Sequence, residues 1–214
     1  MTAQPVIVLG AGGSCRDIVD AMLDVNRAAG ERVFEPLGYL DDDPAKAGVV
    51  LGGVPVLGPL SSWGEHPEAF FVDGLNGVEL TRRKRGILEG LGIPRERFVT
   101  VVHPTASVSA MATLGAGSVI LQNATVNSAA RIGDHVMVLP GSVISHDTVV
   151  GDYSYLTPGV VLAGYVEVGE GAYLGARSAV HHRVAIGAGA VVGMGSVVLH
   201  DVPAGATVKG VPAA

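Results

Sequence analysis

Residues 142–164, SVISHDTVVGDYSYLTPGVVLAG, decide the fold of this chain. Within them Ile144, Val150, Leu156 and Leu162 recur at intervals of six, and Ser142, Thr148, Ser154 and Val160 form a second column of small or β-branched residues at the same interval. Followed outward, the aliphatic column runs without a miss from Val102 through Val108, Leu114, Ile120, Val126, Ile132 and Val138 on one side. On the other it continues through Val168, Leu174, Val180, Ile186 and Val192 to Val198. The second column extends from Ala112 to Ser196. Such hexads describe short strands joined by tight turns, in which neighbouring coils supply both the core and the hydrogen-bond partners. The reading is a β-helix of hexapeptide repeats. Three hexads close one triangular coil, so residues eighteen apart stack about 4.8 Å from each other, one strand spacing.

The repeat fills only the second half of 214 residues, which points to two domains with a boundary near residue 98: 1–98 and 99–214. Aromatic residues are scarce at 5% while glycine numbers 31, as narrow coils with tight corners require. A single cysteine, Cys15, excludes an intrachain disulfide and fits a reducing compartment. No apolar run approaches the roughly 20 residues that span a bilayer, and the start lacks a signal-peptide pattern, so a soluble cytoplasmic protein is expected. The net charge of −6 speaks against nucleic acid as a partner. Anionic ligands need local cations, and the repeat offers Arg177, Arg183 and Lys209.

In the first domain Val6 to Leu9 reads as a strand, Gly10-Ala11-Gly12-Gly13-Ser14 as a tight turn, and the residues through Val25 as a helix. A second apolar run, Phe34 to Leu40, ends in Asp41-Asp42-Asp43. This is a Rossmann-like βαβ unit: N–H groups of the turn can face a phosphate and an acid after the second strand can face a ribose or base, the alternative being a tight turn that only packs strand on helix. The third glycine of the dinucleotide fingerprint is missing, which speaks against full NAD binding. A third strand, Ala69 to Val72, leads into the loop Asp73-Gly74-Leu75-Asn76-Gly77 on the same sheet edge. Arg82-Arg83-Lys84-Arg85 follows on a helix and reads as a solvated face.

Because the register is unbroken, the solenoid has no inserted lid, and its chemistry must use corners, faces or the surface between subunits. Flat sides of such a prism are buried by association around a three-fold axis. His66, His103 and His135 read as exposed corner or loop residues. His146 differs, standing third in its hexad, at a corner where in-out alternation breaks. Counting in eighteens places Gly164 over His146, then His182 and His200, with Ser128 below. A small residue over an imidazole leaves room for a ligand and bares a backbone N–H, the pairing of base and oxyanion donor that acyl transfer needs. Asp147 is placed to fold back and orient the ring. Cys15, with no histidine near it in sequence, reads as packing.

These residues carry a resemblance that covers the whole chain. Val8-Leu9-Gly10-Ala11-Gly12-Gly13, Leu40-Asp41-Asp42, Ser142-Val143-Ile144-Ser145-His146-Asp147, Leu162-Ala163-Gly164 and Gly210-Val211-Pro212-Ala213 together resemble the two-domain sugar acetyltransferases of the sialic-acid and bacillosamine type. The resemblance implies a left-handed β-helix, a homotrimer with sites between subunits, and acetyl-CoA as co-substrate without a metal. It makes His146 the catalytic base with Asp147 beside it, and it gives Gly164, with Tyr155, His182 and Lys209, to acetyl-CoA. Gly12, Gly13, Ser14, Asp41, Asp42 and Asn127 fall to the nucleotide-linked sugar. Three positions depart from the pattern: Ser14 and Tyr155 stand where members carry histidine, and Leu139 where some carry asparagine. Half a coil separates Tyr155 from His146, so the two meet only across a subunit boundary.

The expected function is direct transfer of an acetyl group from acetyl-CoA to the amino group of a nucleotide-linked amino-deoxy sugar, a UDP- or GDP-linked 4-amino-4,6-dideoxy sugar. The alternatives are O-acetylation of a sialic acid or other sugar hydroxyl, a metal-dependent hydratase with zinc bound by histidines of neighbouring subunits, and a non-catalytic nucleotide-sugar-binding trimer. Position 187, where the hydratase would need a third ligand, is Gly187.

Overall fold

The computed structural model describes residues 3–214. The first domain comprises β1 (Gln4–Leu9), α1 (Gly13–Ala29), β2 (Phe34–Leu40), β3 (Val50–Leu51), β4 (Val54–Gly58), β5 (Phe70–Asp73) and α2 (Val78–Leu91). Its sheet has the order β3-β4-β2-β1-β5, parallel except between β3 and β4. Val6 to Leu9 of β1 are wholly buried, as a central parallel strand demands. The loops after β1 and β5 leave the carboxyl edge where the strand order reverses, the place where α/β sheets receive ligands. The β3–β4 hairpin escaped the sequence reading because its runs around Gly52-Gly53 are too short to stand out from a loop.

The β-helix runs from β6 (Val101–Val102) to β23 (Thr207–Val208) in two-residue strands. Each member of the sixfold aliphatic column is the second residue of its strand and points inward. Ile144 pairs with Val126 below and Leu162 above, which is the eighteen-residue stacking expected. Several buried hydroxyls of the second column donate to carbonyls fifteen residues on: Ser118 to Gly133, Thr148 to Ala163, and Ser154 to Gly169. Beyond Val198 the repeat shortens, and Val208 pairs with Val192, sixteen residues away.

The strands stack into three faces. The first holds β6, β23 and the strands that end at Ile120, Val138, Leu156, Leu174 and Val192; the second holds the six that end at Val108, Val126, Ile144, Leu162, Val180 and Val198; the third holds the five that end at Leu114, Ile132, Val150, Val168 and Ile186. The first domain covers the first face, where Val101, Val119, Met137 and Tyr155 join Cys15, Ile18, Val19 and Met22 of α1 in one apolar cluster. α2 lies along the corner between the third and first faces, where Arg85 pairs with Glu170.

This cover corrects three expectations. His103 is buried, not exposed, with Nε2 2.8 Å from Asp24 Oδ2 on α1. His135 is also buried, held edge-on by Phe98 and stacked on Tyr153. Lys84 breaks the solvated run: it is fully buried and its Nζ lies 2.8 Å from Asp73 Oδ2. In each case a polar turn or helix residue lies beneath the seam between domains, which a linear sequence does not display. No described helix is long and apolar enough to cross a membrane.

Candidate active site

His146 stands at the corner between the second and third faces. Its coil arrives along β13 (Val143–Ile144) and leaves along β14 (Val149–Val150). To turn between them Asp147 adopts φ 58°, a left-handed conformation that costs about 1–2 kcal/mol in a residue with a Cβ. Its N–H is fixed to Ser128 O one coil below. The turn brings the Asp147 carboxylate back onto the neighbouring ring, with Oδ2 2.8 Å from His146 Nδ1. With the Nδ1 proton donated to the carboxylate, Nε2 is the free lone pair. Both side chains are about half exposed.

Gly164 lies directly above. A Cβ at this position would stand 2.8 Å from both Cε1 and Nε2 of His146, so only glycine leaves the base uncovered. Among the described residues the Gly164 N–H has no acceptor, whereas the next N–H, of Tyr165, is bound to His146 O. A free donor therefore lies beside a free base.

Two further side chains close the corner from above. The Tyr165 ring meets His146 edge-on at 5.2 Å and His182 edge-on at 5.6 Å. Arg183 lies over that ring with Cζ 5.0 Å from its centre, and its Nε donates to His182 Nε2 at 2.9 Å. Tyr165 was missed, although eighteen added to Asp147 reaches it. Asn127, exposed at the same corner one coil below, completes the group.

The remaining expected site residues are elsewhere. Gly12 and Gly13 are exposed at the start of α1, with Ser14 behind them. Asp41 fixes this turn: its Oδ2 accepts the Ala11 N–H at 2.7 Å and the Lys46 ammonium at 2.9 Å, and its Oδ1 accepts the Asp43 N–H. Burial pushes the Asp41 carboxyl up, but Lys46 and the two N–H donors outweigh it and hold the group below the usual range. Asp42 accepts the Leu60 N–H, anchoring the next loop. Cys15 is a packing residue; burial pushes its thiol up to about 12.

Tyr155 is not at the His146 corner. It is enclosed between the first face and α1, and burial raises its hydroxyl to about 12. Lys209 joins neither group, standing exposed near the last residues, where its N–H meets Ala214 O. One chain thus presents two separate groups of candidate site residues, each half of the expected set. The glycine turn with Asp41 and Asp42 borders the first face, and Asn127, His146, Asp147, Gly164 and His182 gather on the opposite edge of the prism. Among the described residues no group of three His, Cys, Asp or Glu is placed to hold a metal ion.

Residues 129–164 match the family model described as bacterial transferase hexapeptide (six repeats). No match to a curated protein was found. Among solved structures the chain is similar to PerB from Caulobacter crescentus in complex with CoA and GDP-perosamine. Identity is 31% over 100% of this chain and 97% of that one, with a TM-score of 0.81. It shares its fold with the acetyltransferase domain of PglB from Neisseria gonorrhoeae FA1090 in complex with acetyl coenzyme A, at 24% identity, coverage of 99% and 98%, and a TM-score of 0.85. The chain belongs to the two-domain nucleotide-sugar acetyltransferases built on a left-handed β-helix, and it is an acetyl-CoA-dependent acetyltransferase.

Proposed function

We propose that this enzyme transfers the acetyl group of acetyl-CoA to the amino group of a UDP- or GDP-linked amino-deoxy sugar, with His146 as general base. The observation that carries the proposal is the His146 imidazole, oriented by Asp147 through Nδ1 and left open at Nε2 under Gly164. Likeness to an enzyme solved with GDP-perosamine supports an amine on a nucleotide-linked sugar as acceptor.

His146 Nε2 takes a proton from the amine as its nitrogen attacks the thioester carbon. The Gly164 N–H donates to the oxygen on which negative charge develops. Asp147 holds the ring in one tautomer and stabilises the imidazolium, as the carboxylate of a catalytic triad does. The imidazolium then returns its proton to the departing CoA thiolate, leaving an amide and CoA.

The two half-sites lie on opposite sides of one prism, so a second copy must bring its glycine turn to the His146 corner. The second face is suited to that contact: four of its six outward residues, Val143, Val161, Ala179 and Val197, are small and apolar, and no element of the first domain covers them. This supports a homotrimer closed by a three-fold axis. His182 and Arg183 would then flank the acetyl-CoA path, while Gly12, Gly13, Ser14, Asp41 and Asp42 of the neighbour would hold the nucleotide sugar. A CoA-release assay against UDP-, GDP- and dTDP-linked amino sugars tests the reading. CMP-sialic acid and free sialic acid are its hydroxyl controls. Release with an amino sugar alone is the expected result, and release only with sialic acid would favour O-acetylation.

A further inference from the structure

Lys84 and Asp73 form an ion pair sealed from solvent, with side chains 0% and 1% exposed, and it touches neither half-site. Its surroundings tie three parts of the molecule together. Lys84 Nζ, from α2, donates to His135 O on the corner of the prism at 2.9 Å. Asp73, at the end of β5, accepts the Leu75 N–H at 2.8 Å and so shapes the loop that follows. In that loop the Gly74 N–H bonds to Leu9 O, and Gly74 O accepts the Cys15 thiol at 3.2 Å. Cys15 Sγ in turn accepts the Gly12 N–H at 3.3 Å, the reciprocal bond that an N3 side chain makes to a helix N-cap. The contact is close enough that a Cβ on Gly74 would stand 2.6 Å from Cys15 Sγ.

We propose that Lys84 is a positioning residue: through Asp73, the 73–77 loop and Cys15 it fixes the Gly10–Ser14 turn in place relative to the prism. This rests on reading that turn as the nucleotide-sugar site. An apolar pair of similar shape could fill the space, and burial of two charges costs more than such packing. What the charges add is direction, because a lysine bonded to the Asp73 carboxylate in the first domain and to the His135 carbonyl on the prism admits one arrangement of the three. In an enzyme whose two half-sites come from different copies, that arrangement sets how far the sugar lies from His146.

The test uses the full chain carrying Lys84→Met together with Asp73→Asn, since Lys84→Met alone would strand a buried carboxylate and risk the fold. Amide hydrogen exchange is followed by peptide, and binding of GDP, UDP and CoA by calorimetry. Exchange in 10–16 and 73–77 is expected to rise at least about tenfold, with the hexads of 120–198 unchanged. Affinity for the preferred nucleotide should fall roughly ten- to a hundredfold, as for a misplaced binding element, while that for CoA holds. Unchanged exchange in the turn overturns the proposal, as does an increase spread equally over the hexads, which would mean a purely structural pair. If the unaltered protein binds CoA but neither nucleotide, the reading of the turn fails, and the exchange data alone then decide the role of Lys84.

Discussion

Gly164 leaves empty the space over the His146 ring, where a Cβ would stand 2.8 Å from Nε2. The backbone at Gly164 lies outside the left-handed region, so alanine could adopt it; what it lacks is room. Gly164→Ala should therefore fold normally, with an unchanged melting temperature, and lose at least about 10²-fold in kcat/KM for acetyl-CoA by blocking the base and the neighbouring N–H. Steady-state kinetics with varied acetyl-CoA check this, and wild-type turnover would show that the gap is unused.

In the proposed mechanism Asp147, 2.8 Å from His146 Nδ1, orients the ring and takes no part in bond making. Asp147→Asn should lower kcat by roughly tenfold or more, yet by less than removal of the imidazole, because the ring remains while its orientation and charge stabilisation are lost. A pre-steady-state measurement of CoA release separates this from slow product release.

His135 makes the seam between domains sensitive to acid. Burial holds its pKa below the ordinary 6.5, with the charge of Lys84 also lowering it against the opposing carboxylates. As pH falls through about 6.5 the unfolded chain takes up a proton that the folded chain does not, so stability falls with acidification across the window down to the folded value. The melting temperature should drop between about pH 7 and about pH 5, and His135→Phe, which keeps the stacking with Phe98 and Tyr153, should flatten that slope. An identical slope in the variant would remove His135 as its source.

How much of this the sequence displayed follows from where each contact lies. The hexad register is local and repeated, so all seventeen column residues from Val102 to Val198 appear as inward strand positions. Counting in eighteens placed Gly164 over His146 and His182 above it because stacking is fixed by the coil. Which corner the first domain covers depends on how two units dock, and no spacing encodes it. Hence His103, His135 and Lys84 read as solvent-facing yet are buried, and Tyr155 was not seen to lie against α1. Tyr165 was within reach of the same arithmetic but carries no chemical motif of its own.

Asp41 braces the glycine turn through Ala11 and Lys46. Asp41→Asn should destabilise the protein by about 1–3 kcal/mol, since a charge-assisted, partly buried acceptor is weakened. Urea unfolding monitored at the first domain gives the loss, and no change in midpoint would contradict the bracing role.

The uncovered second face makes the oligomer testable. Val161, 41% exposed at its centre, becomes a buried residue in a three-fold assembly. On the proposed trimer, with its half-sites on different copies, Val161→Glu should shift the sedimenting species toward monomer and remove turnover with it. A monomeric variant that retains full activity would show that one chain suffices.

The central claim is that His146 is the base. Turnover of His146→Ala, measured by CoA release with the nucleotide-linked amino sugar that the unaltered enzyme acetylates, tests it most directly. A fall of roughly 10²–10⁴-fold with acetyl-CoA binding retained is the predicted result. Turnover near that of the unaltered enzyme would contradict it.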